Sequence, residues 1–402
     1  MGSAFEAVVG AAHVCAPARP DLDGVPIAEV VRPGNAGEVA ACLALAADAG
    51  IALVPSGGGS KRGWGNRSCA DSLVQLDLGR LSSPPAVDPD EGIATAAAGL
   101  PLEVLEARAR ELGKTTWLPS VHRGATLGGS VAADPLGPEL SLDRRLRNEL
   151  LGLQVALPNG TLTRCGGRVV KNVTGFDLVR LYCGSLGTLG VITEVTLRLR
   201  PVPEQSRVLE RVFPSVETAL PLAVELALEG GAVGAGLLAA DGELRLLWRC
   251  EGREAELAER ERRVPGSAVD EAEWAALGAV LAEGAGPWLG PGPARLRVAG
   301  RPSDTLPIWS ALAARGHVCT PRLALPLVGV VYADVEELAL PTIVAALADL
   351  GYALQVERCS PELKQTLDVF GPAPAVEALL RAVKGRFDPR GILSPGRFVA
   401  RI

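Results

Sequence analysis

Three stretches of the chain concentrate glycines beside hydroxyls and cations. The first, "VPSGGGSKRGWG" (54–65), follows an apolar run and sets Gly57, Gly58, Gly59 and Ser60 ahead of Lys61 and Arg62. Without Cβ atoms, successive amides can turn inward as a concave nest for an anion, with a cation close by. A turn needing positive φ would use the same residues, and alone the stretch fits either reading. The second, "LPSVHRGATLGGSVAAD" (118–134), places Thr126 and Ser130 around Gly128 and Gly129. In the third, within 166–195, Gly184, Gly187 and Gly190 recur every three residues with Ser185 and Thr188 between them. Three loops of one composition, each abutting a strand, suggest one large ligand touched by main chain. A nucleotide cofactor fits that better than a small metabolite.

The common phosphate motifs do not explain these loops. A dinucleotide fingerprint starting at Gly57 and Gly59 would need glycine at 62, where Arg62 stands. Gly113-Lys114-Thr115 ends like a P-loop, but its first glycine would fall on Arg108, within a helical segment.

The elements that must position these loops read as a mixture of helices and short strands. Residues 36–49 carry apolar positions at helical spacing and stop at Gly50. "IALVP" (51–55), "SLVQLDL" (72–78) and "GIATAAAG" (92–99) read as strands, and 101–113 as a helix bounded by proline and glycine. Residues 149–163 form a hairpin around Pro158-Asn159-Gly160, 177–184 a short helix, and 190–201 an alternating strand. From about 206 a second α+β unit begins, and the segment 386–398, rich in proline and glycine, reads as an ordered tail.

Composition bounds the rest. The chain has 402 residues, enough for two domains, and 48% are hydrophobic, so it can bury a full core. A net charge of -6 without a basic patch argues against nucleic acid as a partner. The eight cysteines are scattered, which excludes the tight spacings of zinc and iron–sulfur sites and suits buried thiols in a reducing compartment. The N-terminal stretch lacks a basic n-region, and no run of 18 uncharged apolar residues occurs. The expected location is the cytoplasm, with no resident metal.

Taken together, "VPSGGGSKRGWG", "TLGGSVAA" and "GGRVVKNVTGFDLVRLYCGSLGTLGVITEVTLRLRP" (166–201) resemble the FAD-binding domain of the vanillyl-alcohol oxidase and p-cresol methylhydroxylase (PCMH) type. With the tail "FDPRGILSPGRF" (387–398), they are most similar to the E subunit of bacterial glycolate oxidase. The resemblance covers about 22–203 and 385–398. It implies an α+β fold: a two-subdomain FAD-binding domain over 1–203, an α+β cap over 204–384 and a C-terminal segment, 385–402, returning to the first domain. It also implies non-covalent FAD held by Pro55, Ser56, Gly57, Gly58, Gly59, Ser60, Lys61, Pro119, Thr126, Leu127, Gly128, Gly129, Ala132, Ala133, Gly187, Gly190, Val191 and Ile192. Within that set, Gly57 to Ser60 would hold the pyrophosphate and Thr126 to Ala133 would flank the ribityl chain and flavin. Phe176 and Ser394 replace the family's tyrosine and asparagine, and Arg147-Asn148 stands where an Arg-Asp pair is usual.

The activity implied is oxidation of a small 2-hydroxy acid, with electrons passed to a second FAD-binding subunit and an iron–sulfur subunit. The membrane would be reached peripherally through those partners. Such chemistry needs a base, a cation for the carboxylate and the flavin as hydride acceptor. Histidines occur at 13, 122 and 317 alone, so the paired histidines of catalytic relatives are missing; Arg249, Arg297 and Arg301 are candidates for the carboxylate. No catalytic residue is assigned. Two alternatives stand beside this reading: a non-catalytic FAD-fold subunit supporting such a complex, and a free-standing alcohol or lactone oxidase.

Overall fold

The protein is described here from a computed structural model covering residues 3–118, 122–139, 141, 144–168, 176–228, 232–240, 242–282 and 292–402. Three sheets organise it. The first is a βαβ unit with additions. Strand β1 (Val25–Val31) leads into helix α1 (Ala36–Ala49) and back to β2 (Leu53–Ser56), and both strands pair in parallel with β3 (Leu73–Asp77). Asn35 caps α1, its side chain accepting from the Glu38 amide at 2.9 Å, and Gly50 ends it at φ 67°. Both signals are local; the glycine was read from the sequence, and the asparagine cap is seen in the structure.

The second sheet is antiparallel. It contains β4 (Ile93–Ala97), β5 (Leu150–Ala156), β6 (Leu162–Gly166) and β7 (Val191–Arg198), with β7 between β5 and β4. One face covers α1 through Ala156 and Val191, which join Val39, Leu43, Leu53 and Leu76 in one core. The other face packs helices α2 (Leu102–Glu111) and α3 (Leu127–Ala133) through Leu105, Leu127, Val131 and Val155.

The stretch "TLGGSVAA", expected as a loop, is therefore mostly the helix α3. Its glycines are tolerated because the helix lies against β4. A Cβ on Gly128 would stand 2.5 Å from that of Ala98, whose carbonyl accepts from the Gly128 amide at 2.8 Å. Close approach outweighs the roughly 1 kcal/mol of helix propensity that glycine loses.

The third sheet has eight antiparallel strands, all drawn from 205–358. Its inner strands include β8 (Ala232–Ala240), β9 (Glu243–Gly252), β10 (Ala294–Ala299), β11 (Cys319–Leu325) and β12 (Val330–Val335), and β13 (Ala353–Arg358) forms an edge. One face is covered by helices Val216–Leu228, Thr305–Ala313 and Leu340–Asp349 in a large apolar core. On the other face a smaller cluster includes Leu277, Trp274 and Tyr332, joined by Leu136 from the segment after α3.

The chain then returns to its first part. Helix α4 (Glu377–Phe387) runs unbroken across the expected boundary at 384/385, and Phe387 stacks edge-on to Tyr182 with ring centroids 5.8 Å apart. Beyond it, Ser394 donates its amide to the Leu53 carbonyl at 2.8 Å, and the Leu53 amide donates to Ile392 at 2.8 Å.

Candidate cofactor-binding site

The first glycine loop leaves β2 and is held from behind by buried polar groups of the C-terminal region. Lys364, 1% exposed, donates to the Gly63 carbonyl at 2.5 Å and to Asp23 at 3.0 Å. Arg397 donates to the carbonyls of Arg62, at 3.1 Å, and of Trp64, and pairs with Asp23 at 3.4 Å. Asn66, fully buried, bridges Asp368, Val369 and Phe398 through its side chain. Burial pushes the Lys364 ammonium down and the Asp23 charge opposes this.

The three glycine stretches converge. A Cβ on Gly57 would meet the Thr126 hydroxyl at 2.0 Å, and one on Gly58 would meet the Gly124 carbonyl at 1.7 Å. The turn after Tyr182 is tied to the end of α3 by amides of Gly184 and Leu186 donating to Val131 and Ala132 at 2.9 and 2.8 Å. Gly187, at φ 70°, lies against Pro55, where an added Cβ would stand 3.3 Å from that ring. Glycine at 58 thus serves the close approach of two loops, a reason distinct from contact with a ligand.

Between the stretches lies a cavity that opens to solvent. Pro55, Ser56, Gly57, Gly58, Gly59, Ser60 and Lys61 line it, with Thr126, Gly128, Gly129, Ala132, Ala133, Gly187, Gly190, Val191 and Ile192. Leu127 does not: it is fully buried and shares its helix face with Val131 in the core. Pro119 lies outside the described residues. Sequence reasoning did not assign Leu22, Gln75, Leu78 and Ala98, nor five residues inside the motifs that carry the resemblance, Val54, Arg62, Trp64, Leu186 and Arg397.

The cavity wall offers donors and little to occupy them. The amides of Gly57, Gly58, Gly59 and Ser60 donate to no acceptor among the described residues. Among the described residues the Trp64 indole N–H is buried without a partner, and the Lys61 ammonium reaches only the Ser60 hydroxyl, at 3.2 Å. Burial pushes Lys61 down to about 8. The two cations after the glycines therefore divide. Arg62 is engaged by the Gln75 side chain at 2.8 Å and the Asp21 carbonyl at 3.3 Å, whereas Lys61 is left to the cavity. His122, 6% exposed, stands edge-on to Trp64 at 5.9 Å, and burial, then Lys61, pushes it down to about 3, so it is neutral.

Four free amides, an ammonium and an indole donor suit a phosphate-bearing group, and the small wall residues Gly128, Gly129, Ala132 and Ala133 leave room for a ring system. The arrangement suits a dinucleotide, with main-chain amides rather than a Rossmann helix available to its phosphates.

Comparison with known proteins identifies the dinucleotide. Residues 27–166 match an FAD binding domain. D-lactate dehydrogenase of Archaeoglobus fulgidus is 33% identical over 198 residues, 49% of this chain and 44% of that protein. Glycolate oxidase subunit GlcE of Escherichia coli is 40% identical over 126 residues, 31% of this chain and 36% of that protein. The chain thus spans less than half the length of these curated relatives. The solved structure of p-cresol methylhydroxylase with substrate bound shares the fold, with a TM-score of 0.74 over 98% of this chain and 95% of that one, at 15% identity. The chain shares the α+β fold of p-cresol methylhydroxylase, carries a region matched to an FAD binding domain and resembles a glycolate oxidase subunit over part of its length, and FAD is its cofactor.

No helix among the described residues is long and apolar enough to cross a membrane.

Proposed function

We propose that the chain is an FAD-dependent oxidoreductase acting on small 2-hydroxy acids, working as one subunit of a cytoplasmic complex. The observation that carries it is the convergence on one cavity of the Gly57–Ser60 amides and the Trp64 indole, without partners among the described residues, and of Lys61, held by the Ser60 hydroxyl, in a region matched to an FAD binding domain. The substrate class follows from the relatives, named as D-lactate dehydrogenase and a glycolate oxidase subunit.

When bound, FAD supplies a two-electron acceptor. The chain's own residues do the rest. The amides of Gly57 to Ser60 and Lys61 hold the pyrophosphate non-covalently, and Gly128, Gly129, Ala132 and Ala133 flank the flavin with flat, small surface. Gly187, Gly190, Val191 and Ile192 complete the opposite wall. Residues up to about 203 form the cofactor-binding unit, 204 to about 358 cover it, and the chain beyond returns to brace the glycine loop. The likeness to subunits of glycolate oxidase supports a second FAD-binding subunit and an iron–sulfur subunit as partners that take the electrons onward.

Anaerobic addition of glycolate or D-lactate to the FAD-loaded protein tests the activity. Bleaching of the flavin's visible absorbance is expected with at least one of them. Retained FAD with no bleaching by any short 2-hydroxy acid would leave a non-catalytic FAD-binding subunit as the surviving reading.

A further inference from the structure

The loop that carries the free amides is held from behind by charges that do not balance. Asp23, in the turn before β1, lies between two cations of the C-terminal region, Lys364 at 3.0 Å and Arg397 at 3.4 Å. All three side chains are buried, at most 9% exposed. Among the described residues neither cation has another carboxylate within 4.0 Å, so one positive charge is left over. The surroundings do not cancel it. Asp21 and Asp368 stand nearby, but three arginines outnumber them. Arg62 donates to the Asp21 carbonyl, Arg67 to those of Asp23 and Gly24, and Arg401 to those of Lys364 and Leu367. The arginines singled out in the sequence lie elsewhere: Arg249 pairs with Glu271, Arg297 with Glu357 at 3.5 Å, and Arg301 is exposed.

The surplus borders the cradle. Lys364 donates to the Gly63 carbonyl, Arg397 to those of Arg62 and Trp64, and Arg397 also lines the cofactor cavity. Ser60, the last of the free amides, precedes Gly63 by three residues, which keeps the two backbones within about 11 Å. Asp23 is held at φ 54°, a conformation uncommon outside glycine, so the surrounding contacts fix it against its own preference. Burial pushes both Lys364 and Arg397 down while Asp23 opposes this. A buried charge without a counter-charge is costly, and an anion in the cradle would offset it.

We propose that Asp23, Lys364 and Arg397 form an electrostatic brace, whose surplus positive charge behind the loop draws the cofactor's pyrophosphate onto the Gly57–Ser60 amides. A pyrophosphate that joins two nucleotide halves carries two negative charges; Lys61 answers one and the buried surplus the other. Lys364 is then a positioning residue, acting through the loop and through space. The brace deepens the functional reading above and rests on it for the cofactor alone.

FAD affinity of the full chain, stripped of cofactor and titrated by quenching of flavin fluorescence, tests the brace through two variants of opposite sign. Lys364→Met removes the surplus and should weaken binding about tenfold, the effect of one charge about 10 Å away at an effective dielectric constant of about 20. Asp23→Asn doubles the surplus and should tighten binding by about as much. Asparagine keeps an acceptor for Lys364 and tolerates positive φ. Weaker binding in both variants would mean that the trio only shapes the loop and would overturn the brace, as would wild-type affinity in Lys364→Met. Where Asp23→Asn does not fold alone, refolding in excess FAD replaces its titration: recovery is expected, and lack of it overturns the brace. The two readings separate. Opposite shifts in the two variants without flavin reduction by any 2-hydroxy acid keep the brace and remove the activity. Flavin reduction by glycolate or D-lactate, with both variants weakened alike, does the reverse.

Discussion

Two glycine-rich segments, 57–63 and 184–190, border the same cavity and use their backbone amides differently. In the turn 184–190 the amides of Gly184, Ser185, Leu186 and Thr188 all donate to protein carbonyls, and the Thr188 hydroxyl closes onto Ser185 at 2.7 Å. In the loop 57–63 four consecutive amides, Gly57 to Ser60, find no acceptor among the described residues, whereas in the turn only those of Gly187, Leu189 and Gly190 find none. Each is pinned by one buried lysine, Lys384 on the Thr188 carbonyl and Lys364 on the Gly63 carbonyl. A buried ammonium with several acceptors, three for Lys384 and two for Lys364 among the described residues, fixes an irregular backbone that no ladder would hold. The difference teaches that glycine content marks irregular backbone, while unspent amides mark the ligand. One segment is scaffold and the other is cradle.

The largest expected effect breaks the scaffold. Lys384 binds Thr188 at 2.8 Å, Leu393 at 2.8 Å and Asp388 at 2.6 Å, and Asp388 is 2% exposed. Lys384→Met leaves that carboxylate buried without its cation, which should cost about 3–5 kcal/mol. A denaturant midpoint that does not move would show that the turn needs no pin.

Next comes the cradle's capacity. Ala133 lines the cavity and lies outside the apolar core, so Ala133→Leu should leave stability unchanged while the added side chain occupies ligand space. FAD affinity should fall by about a hundredfold, close to 2.7 kcal/mol. Unaltered affinity, measured by quenching of flavin fluorescence, would move the flavin away from α3.

Glycine substitutions sharpen the contrast further. Gly58→Ala would drive a methyl onto the Gly124 carbonyl, so loss of FAD there could not be told from loss of loop packing. Gly59 is the cleaner position. Its φ is 71°, and a Cβ would find nothing nearer than the Arg62 side chain at 4.0 Å. Gly59→Ala should cost about 1–2 kcal/mol of left-handed strain, and bound FAD should recover part of it in a thermal melt. A variant equally destabilised with and without FAD would uncouple the loop from the cofactor.

The sequence made some of this legible and hid the rest for physical reasons. Helix α1, its terminal Gly50 and the strands beside the glycine loops depend on local signals, and they stand close to where those signals put them. Helix α3 was unreadable because its glycines answer to Ala98, thirty residues away in the chain. Alternation along β10 and β13 reads as a solvent face; that the face of Arg295 and Glu357 is buried depends on how the rest of the chain packs over it. The cavity wall was largely legible because main chain dominates it. Trp64 was not, since a tryptophan beside glycines reads equally as core, and only the orphaned indole N–H separates the two.

The smallest effect concerns Lys61, the one cradle group with a charge to lose. Its ordinary value is 10.5 and burial brings it to about 8. Free protein therefore binds fewer protons than the unfolded chain between those values, and through this group stability rises with pH across that window. Cofactor binding has the opposite sign. A pyrophosphate favours the ammonium and raises its pKa, so binding takes up a proton near pH 8 and above. FAD affinity should be full below pH 8 and then fall by at most about tenfold per pH unit until the bound-state pKa is reached. Lys61→Met should bind less tightly at pH 7, by about tenfold, and show no such slope. A wild-type affinity flat from pH 7 to 10 would mean that Lys61 faces solvent beside the phosphates, leaving the four amides to hold them alone.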